Sequence, residues 1–157
     1  MQAALAMLAR RSQPSERIRE RIADRFGAQA AERITARLLE LRLLDDAGFA
    51  ERFVRDRFER AGYGRERMRA DLRARGIAAQ EIRTAIASVI DDAKERACAT
   101  RALERFCARR GPARHGGTED ATRRVRDAAF RHLVGRGFPV GLVTELLRAE
   151  TVDSLDC

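Results

Sequence analysis

The sequence predicts an all-α fold built from three tandem three-helix repeats. Helix-forming residues dominate, because Ala, Leu, Arg and Glu fill most of the 157 positions and aromatic residues make up only 5%. Apolar residues recur at helical spacing along almost the whole chain, and no segment shows convincing strand-like alternation. A third observation is an internal repeat, which sets the order of the helices.

The repeat appears when the chain is shifted by 61 residues against itself. Two copies of the pattern L-x-x-R-G-[IF] then align, with Leu72, Gly76 and Ile77 in one copy and Leu133, Gly137 and Phe138 in the other. A fainter third copy lies upstream. Because each unit is too small to bury its apolar stripe alone, the units must stack, which predicts an elongated, curved molecule. The predicted boundaries are 1–44, 45–92 and 93–152, with a tail at 153–157.

The predicted helices follow from apolar spacing and from the residues that end each run. In the first repeat they cover about residues 2–10, 15–26 and 30–43. The apolar face of the second helix holds Ile18, Ile22 and Phe26, and the inner face of the third holds Ile34, Leu38 and Leu41. Asp45 and Asp46 then cap the helix that carries Phe49, and Gly62 begins the next turn. The remaining helices run to Gly76, from 77 to 90, from about 91 to the Gly-rich loop at 111–117, and over 119–136 and 140–149. Gly76 and Gly137 are predicted to end their helices in the left-handed conformation.

Charge indicates the kind of partner. Lys and Arg number 32 against 24 Asp and Glu, which gives a net charge of +8 and a pI near 10.9. We therefore expect a polyanionic or acidic partner.

Several classes of function are disfavoured. The chain contains no phosphate loop and no zinc-protease or serine-hydrolase motif, so we expect neither an enzyme nor a bound cofactor or metal. Cys98 and Cys107 are nine residues apart, on opposite sides of a helix, and the total of three cysteines predicts no disulfide framework. This usage favours a cytoplasmic protein, and the N-terminal apolar run is too short for a signal peptide or a membrane span.

The run LLDDAGFAERFVRDRFERAGYGRERMRADLRARGI, residues 43–77, resembles the central repeat of the RecX family. Its elements occur in the family's order: an acidic pair, Phe-Ala, a basic helix, a Gly turn, and an Arg-rich stretch that ends in Arg-Gly-Ile. The segments ARRSQPSERIRERI and FRHLVGRGFPVGLVTELL resemble the first and third repeats. The resemblance implies a regulator that binds the RecA filament on DNA and restrains strand exchange, ATP hydrolysis and co-protease activity. We expect the chain to be a monomer. Weak binding to single- or double-stranded DNA without sequence preference is also expected.

Candidate contact residues are mostly arginines. Arg65, Arg69 and Arg73 are spaced four apart and should form one stripe of a helix. Further candidates are Arg52, Arg55 and Arg60 on the preceding helix, Tyr63 in the Gly-flanked turn, and the cluster of Arg123, Arg124 and Arg126 in the third repeat.

Two alternatives remain open. Leu72, Gly76 and Ile82 have the spacing of a helix-turn-helix, whose second helix would present Gln80, Arg83 and Thr84 to duplex DNA. The basic charge could also serve the solubility of a pure protein scaffold. Sequence-specific duplex binding would indicate the first alternative, and binding that does not respond to salt would indicate the second.

Overall fold

The computed structural model describes residues 13–110 and 119–149, and within these ranges it contains helices and no β-strand. The all-α prediction is therefore confirmed. The helices are α1 (Ser15–Phe26), α2 (Ala28–Glu40), α3 (Asp46–Asp56), α4 (Arg65–Arg73), α5 (Ala79–Val89), α6 (Asp92–Arg110), α7 (Glu119–Gly135) and α8 (Val140–Ala149). A π-helical turn, Arg57–Ala61, follows α3 directly.

The chain forms two compact units, and α4 contributes residues to both. In the first unit, which holds residues up to 56 and 69–89, α1 packs on α2 and α3 packs on α5. Its core includes a cluster of Ile18, Ile22, Ala31, Leu38 and Leu44, each at most 5% exposed. Burying these side chains supplies the hydrophobic stabilisation that short helices lack by themselves.

The second unit holds residues 57–68 and those from 90 onward. Here α6, α7 and α8 pack against one another. Leu103, Leu133, Phe138 and Val143 are at most 1% exposed and belong to its core. Residues of the predicted second repeat belong to both units, so the units do not correspond to the repeats. The repeat boundaries at 45 and 92 therefore stay a prediction.

The two Gly-containing helix ends have the same geometry. Gly76 and Gly137 have φ values of 75° and 86°, which residues with a Cβ atom rarely adopt. The following residues, Ile77 and Phe138, each donate a backbone hydrogen bond of 3.2 Å to the leucine five residues earlier. Both apolar side chains are buried, at 5% and 1% exposure. The internal repeat found in the sequence therefore corresponds to a repeated structural turn.

Some sequence predictions lie outside the described residues, namely the helix at 2–10, the loop at 111–117 and the tail at 153–157. Others are wrong. Phe26 and Leu41, predicted to lie on an inner face, are 51% and 46% exposed. The helix predicted over 30–43 ends at Glu40, because the chain turns there and Arg42 takes a positive φ of 52°. Helical spacing alone could not show that the turn removes Leu41 from the core.

Cys107 is disulfide-bonded, which the cysteine count did not indicate, whereas Cys98 is a free, buried thiol. The spacing argument excluded only a bond between these two cysteines. Burial raises the pKa of the Cys98 thiol, although the neighbouring Arg101 opposes that effect.

Candidate functional site

Three arginines of the first unit surround one small cavity. Arg69 and Arg73 come from α4 and Arg83 comes from α5, and together with Ala79 and Ile82 they line a cavity of about 110 Å³. Arg73 and Arg83 are exposed, whereas Arg69 is partly buried. A cavity lined by three arginines suits an anionic oxygen group, since arginine presents several donors in a fixed plane. We refer to Arg69, Arg73 and Arg83 as the basic cleft.

Arg83 contributes to this cleft although its position in the sequence did not suggest it as part of the arginine stripe. The stripe was identified from spacing within one helix, and Arg83 lies on the next helix, after the Gly76 turn. Its guanidinium group donates a hydrogen bond to the side chain of Gln80 one turn earlier. Pairs of residues on adjacent helices cannot be found from periodicity, so only the folded turn shows this grouping.

Arg65, the first member of the predicted stripe, is held by carboxylates of the second unit. Its guanidinium group forms ion pairs with Glu95 and, at 2.6 Å, with Asp92, and its side chain is 26% exposed. The Glu95 side chain is only 2% exposed. Partial burial disfavours the charged form of Arg65, but the two carboxylates outweigh burial and raise its pKa. This arginine thus has a structural role in its own unit.

Tyr63 is partly buried, and two guanidinium groups lie near its ring. The Arg67 and Arg136 guanidinium carbons lie 5.4 and 5.2 Å from its ring centroid, within the range of cation–π contacts. Arg136 also donates hydrogen bonds to the carbonyl oxygens of Ala61 and Gly62. Tyr63 is therefore a packed aromatic of the turn.

The other candidate arginines lie on helix surfaces. Arg52 and Arg55 are exposed on α3, with ion pairs to Asp45 at 3.8 Å and to Glu51 at 2.6 Å. Such exposed pairs contribute little to stability, about 0–1 kcal/mol, so a phosphate or acidic partner can replace the carboxylate. Arg60 is exposed on the π-helical turn.

The cluster in the third predicted repeat is found on α7. Arg123 and Arg124 are exposed, and Arg126 is partly buried. Arg124 forms a long ion pair of 3.9 Å with Asp120, in which both side chains are at least 80% exposed. Neighbouring residues of a helix point in different directions, so this cluster does not converge on one point as the basic cleft does.

The motif residues predicted to shape the fold lie at helix ends. Asp45 accepts a hydrogen bond of 2.8 Å from the Gly48 N–H and so caps α3. The Asp46 carboxylate instead accepts from the N–H of Ser15, the first residue of α1, at 2.8 Å. Phe49 stacks on Phe53 with ring centroids 6.1 Å apart.

Two negative observations apply to the described part of the chain alone. No group of three His, Cys, Asp or Glu side chains there is arranged to hold a metal ion. In the same ranges, no helix is both long enough and apolar enough to cross a membrane.

The fold and the cleft define a class, an all-helical basic protein with an arginine-lined cavity. Comparison with known proteins identifies the family. The family description "RecX, second three-helix domain" matches residues 45–86. A regulatory protein RecX of Thermus thermophilus is 36% identical over 146 residues, which cover 92% of this chain and 87% of that protein. Regulatory protein RecX of Thermobifida fusca is 34% identical, with 93% of this chain and 70% of that protein covered.

The fold also has counterparts among solved structures. A crystal structure of RecX from Lactobacillus salivarius matches with a TM-score of 0.78 at 17% identity, covering 94% of this chain and 92% of that one. A second crystal structure of regulatory protein RecX matches with a TM-score of 0.79 at 21% identity, covering 95% and 70%. The chain belongs to the RecX family of regulatory proteins.

Proposed function

We propose that this protein binds the RecA filament assembled on DNA and inhibits its recombinase, ATPase and co-protease activities. The observation that carries the proposal is the basic cleft, in which Arg69, Arg73 and Arg83 converge on one cavity. A RecA–DNA filament presents both phosphate groups and protein carboxylates, and three guanidinium groups can bind either. The net charge of +8 favours the same partner.

The mode of binding follows from the distribution of charge. Arg52 and Arg55 on α3, and Arg123 and Arg124 on α7, add exposed positive charge beyond the cleft. Many weak contacts along a filament, spread over the second and third repeats, would give high total affinity without a large apolar interface. The stacked, elongated arrangement of the repeats at 1–44, 45–92 and 93–152 is part of this proposal, as are a monomeric chain, a cytoplasmic location and the absence of catalysis and cofactors.

The ATPase rate of RecA on single-stranded DNA tests the proposal. Wild-type protein is titrated beside R69A/R73A/R83A and a control, R17A/R21A/R33A, which removes three exposed arginines from α1 and α2. We expect inhibition by the wild type and the control, and at least about tenfold weaker inhibition by the cleft variant, the loss expected for two or three charge-assisted contacts. No inhibition by wild-type protein at saturating concentration would refute the proposal.

The helix-turn-helix alternative has one observation in its favour. Gln80, Arg83 and Thr84 are all exposed on α5, the helix that would enter the major groove. Because Arg83 belongs to the cleft as well, loss of DNA binding in the cleft variant does not separate the two hypotheses. Selection from random duplexes does: one enriched sequence would favour this alternative, and equal binding of all duplexes would favour filament binding.

A further inference from the structure

The second unit contains a larger basic cavity that the arginine stripe did not reveal. Its volume is about 320 Å³, which falls within the roughly 300–1,000 Å³ typical of small-molecule sites. The arginines that line it are Arg60 from the π-helical turn, Arg101, Arg105 and Arg109 from α6, and Arg136 after α7. Glu59 is the one carboxylate among the lining residues, so the cavity has a strong excess of positive charge.

The three arginines of α6 recur every four residues and therefore share a face of the helix. All three are exposed. Neither Arg105 nor Arg109 forms an ion pair with another described residue. No described carboxylate holds the charges of Arg105 and Arg109, unlike that of Arg65, which pairs with Asp92 and Glu95.

Two rings form part of the cavity wall. Phe106 and His132 are stacked with centroids 5.0 Å apart and an interplanar angle of 30°, and both are partly exposed. Aromatic side chains of this kind provide surfaces for nucleobases, because every base has a π-face that can stack. Burial lowers the pKa of His132, and Arg136 and Arg109 lower it further. This lowered pKa favours the neutral form of the ring.

We infer that this cavity binds a nucleotide, with its phosphate group among the arginines of α6 and its base against Phe106 and His132. A single-stranded nucleic acid and a free nucleoside phosphate share this chemistry, and we expect the strand to be the source. If the ligand is a single strand, the inference rests on the proposed function. The experiment therefore omits the recombinase, so that failure of the inference can be told apart from failure of the proposed function.

The test uses fluorescence anisotropy with two probes, a labelled short oligo(dT) and a fluorescent ATP analogue. The variant R105A/R109A is compared with R131A/R148A, which removes the same charge from exposed positions of the second unit outside the cavity. We expect R105A/R109A to bind oligo(dT) about tenfold more weakly than wild type, and the control to remain within about twofold. The slope of log affinity against log salt should fall by about 1.4, since each single-strand phosphate contact contributes roughly 0.7.

Competitors and further variants decide the remaining outcomes. If unlabelled ATP displaces oligo(dT) from wild type but not from R105A/R109A, then the cavity binds free nucleotide as well as a single strand. Phe106→Leu, which keeps the charge, should weaken oligo(dT) binding while leaving the salt slope unchanged. Equal weakening by both double variants, equally strong competition by poly-glutamate, or no binding of either probe would overturn the inference. R69A/R73A/R83A in the same assay shows whether the basic cleft accounts for the binding instead.

Discussion

Glu95 accepts a hydrogen bond of 2.8 Å from the backbone N–H of Arg65, and through its other oxygen forms an ion pair with the same residue's guanidinium group. Asp46 makes the corresponding contact with the N–H of Ser15, also at 2.8 Å. In each case an acid in the first turn of one helix accepts a partly buried hydrogen bond from the backbone N–H at the start of a helix about 30 residues earlier. The repeat in sequence is thus accompanied by a repeated capping contact.

Glu95→Ala should destabilise the second unit. The change leaves the Arg65 N–H and part of its guanidinium group without their buried acceptor, at a cost of about 1–3 kcal/mol after allowance for the partial exposure of Arg65. The free energy of unfolding from urea titration measures this. Asp92→Ala is the control, because the Asp92 side chain is 95% exposed and also pairs with Arg65. Equal losses in the two variants would contradict the buried capping role.

Asp46→Ala should cost about 1 kcal/mol, the usual loss for a capping side chain. Asp46→Asn keeps an oxygen that can accept from the Ser15 N–H and should retain most of the stability. Thermal unfolding compares the two variants. If Asp46→Asn is as damaging as Asp46→Ala, then charge and not hydrogen bonding is what matters at this contact.

Gly137→Ala should be among the most destabilising single changes, at about 2–4 kcal/mol. An alanine there must adopt φ of 86°, and its Cβ would lie 2.3 Å from the Arg67 Cβ and backbone nitrogen. The matched control is Gly141→Ala in α8, where no atom lies within 4 Å of an added Cβ and φ is not positive. That change should leave stability equal or slightly higher, because alanine favours helix. Calorimetry of both variants measures the difference.

Stability should fall when the solution is acidified below pH 6.5, because the folded protein holds the pKa of His132 under its usual value of 6.5. The unfolded chain then binds a proton at this histidine that the folded chain does not, so His132 lowers the free energy of unfolding from pH 6.5 down to its folded-state pKa and contributes no further change below it. His132→Gln should flatten this part of the curve of stability against pH. An unchanged slope in that variant would assign the pH dependence to other groups.

The limits of sequence reasoning follow from distance along the chain. Helix ends at Gly76 and Gly137 were predictable because a glycine followed by an apolar residue is a local signal. The pairing of Arg65 was not, because its partner Glu95 is 30 residues away. For the same reason the sequence could not assign Arg83 to the basic cleft, or Arg101, Arg105 and Arg109 to the larger cavity. Each of these sites is formed by residues from two helices or more.

The central claim is that the basic cleft binds a RecA filament more tightly than bare DNA, and equilibrium co-sedimentation with RecA on single-stranded DNA tests it most directly. Three samples are compared: the filament, RecA alone and DNA alone. We predict that wild-type protein and R17A/R21A/R33A pellet with the filament at concentrations where little binds RecA or DNA alone, and that R69A/R73A/R83A stays in the supernatant while retaining its helical circular dichroism spectrum. Equal pelleting of the cleft variant and the wild type with the filament would contradict the account.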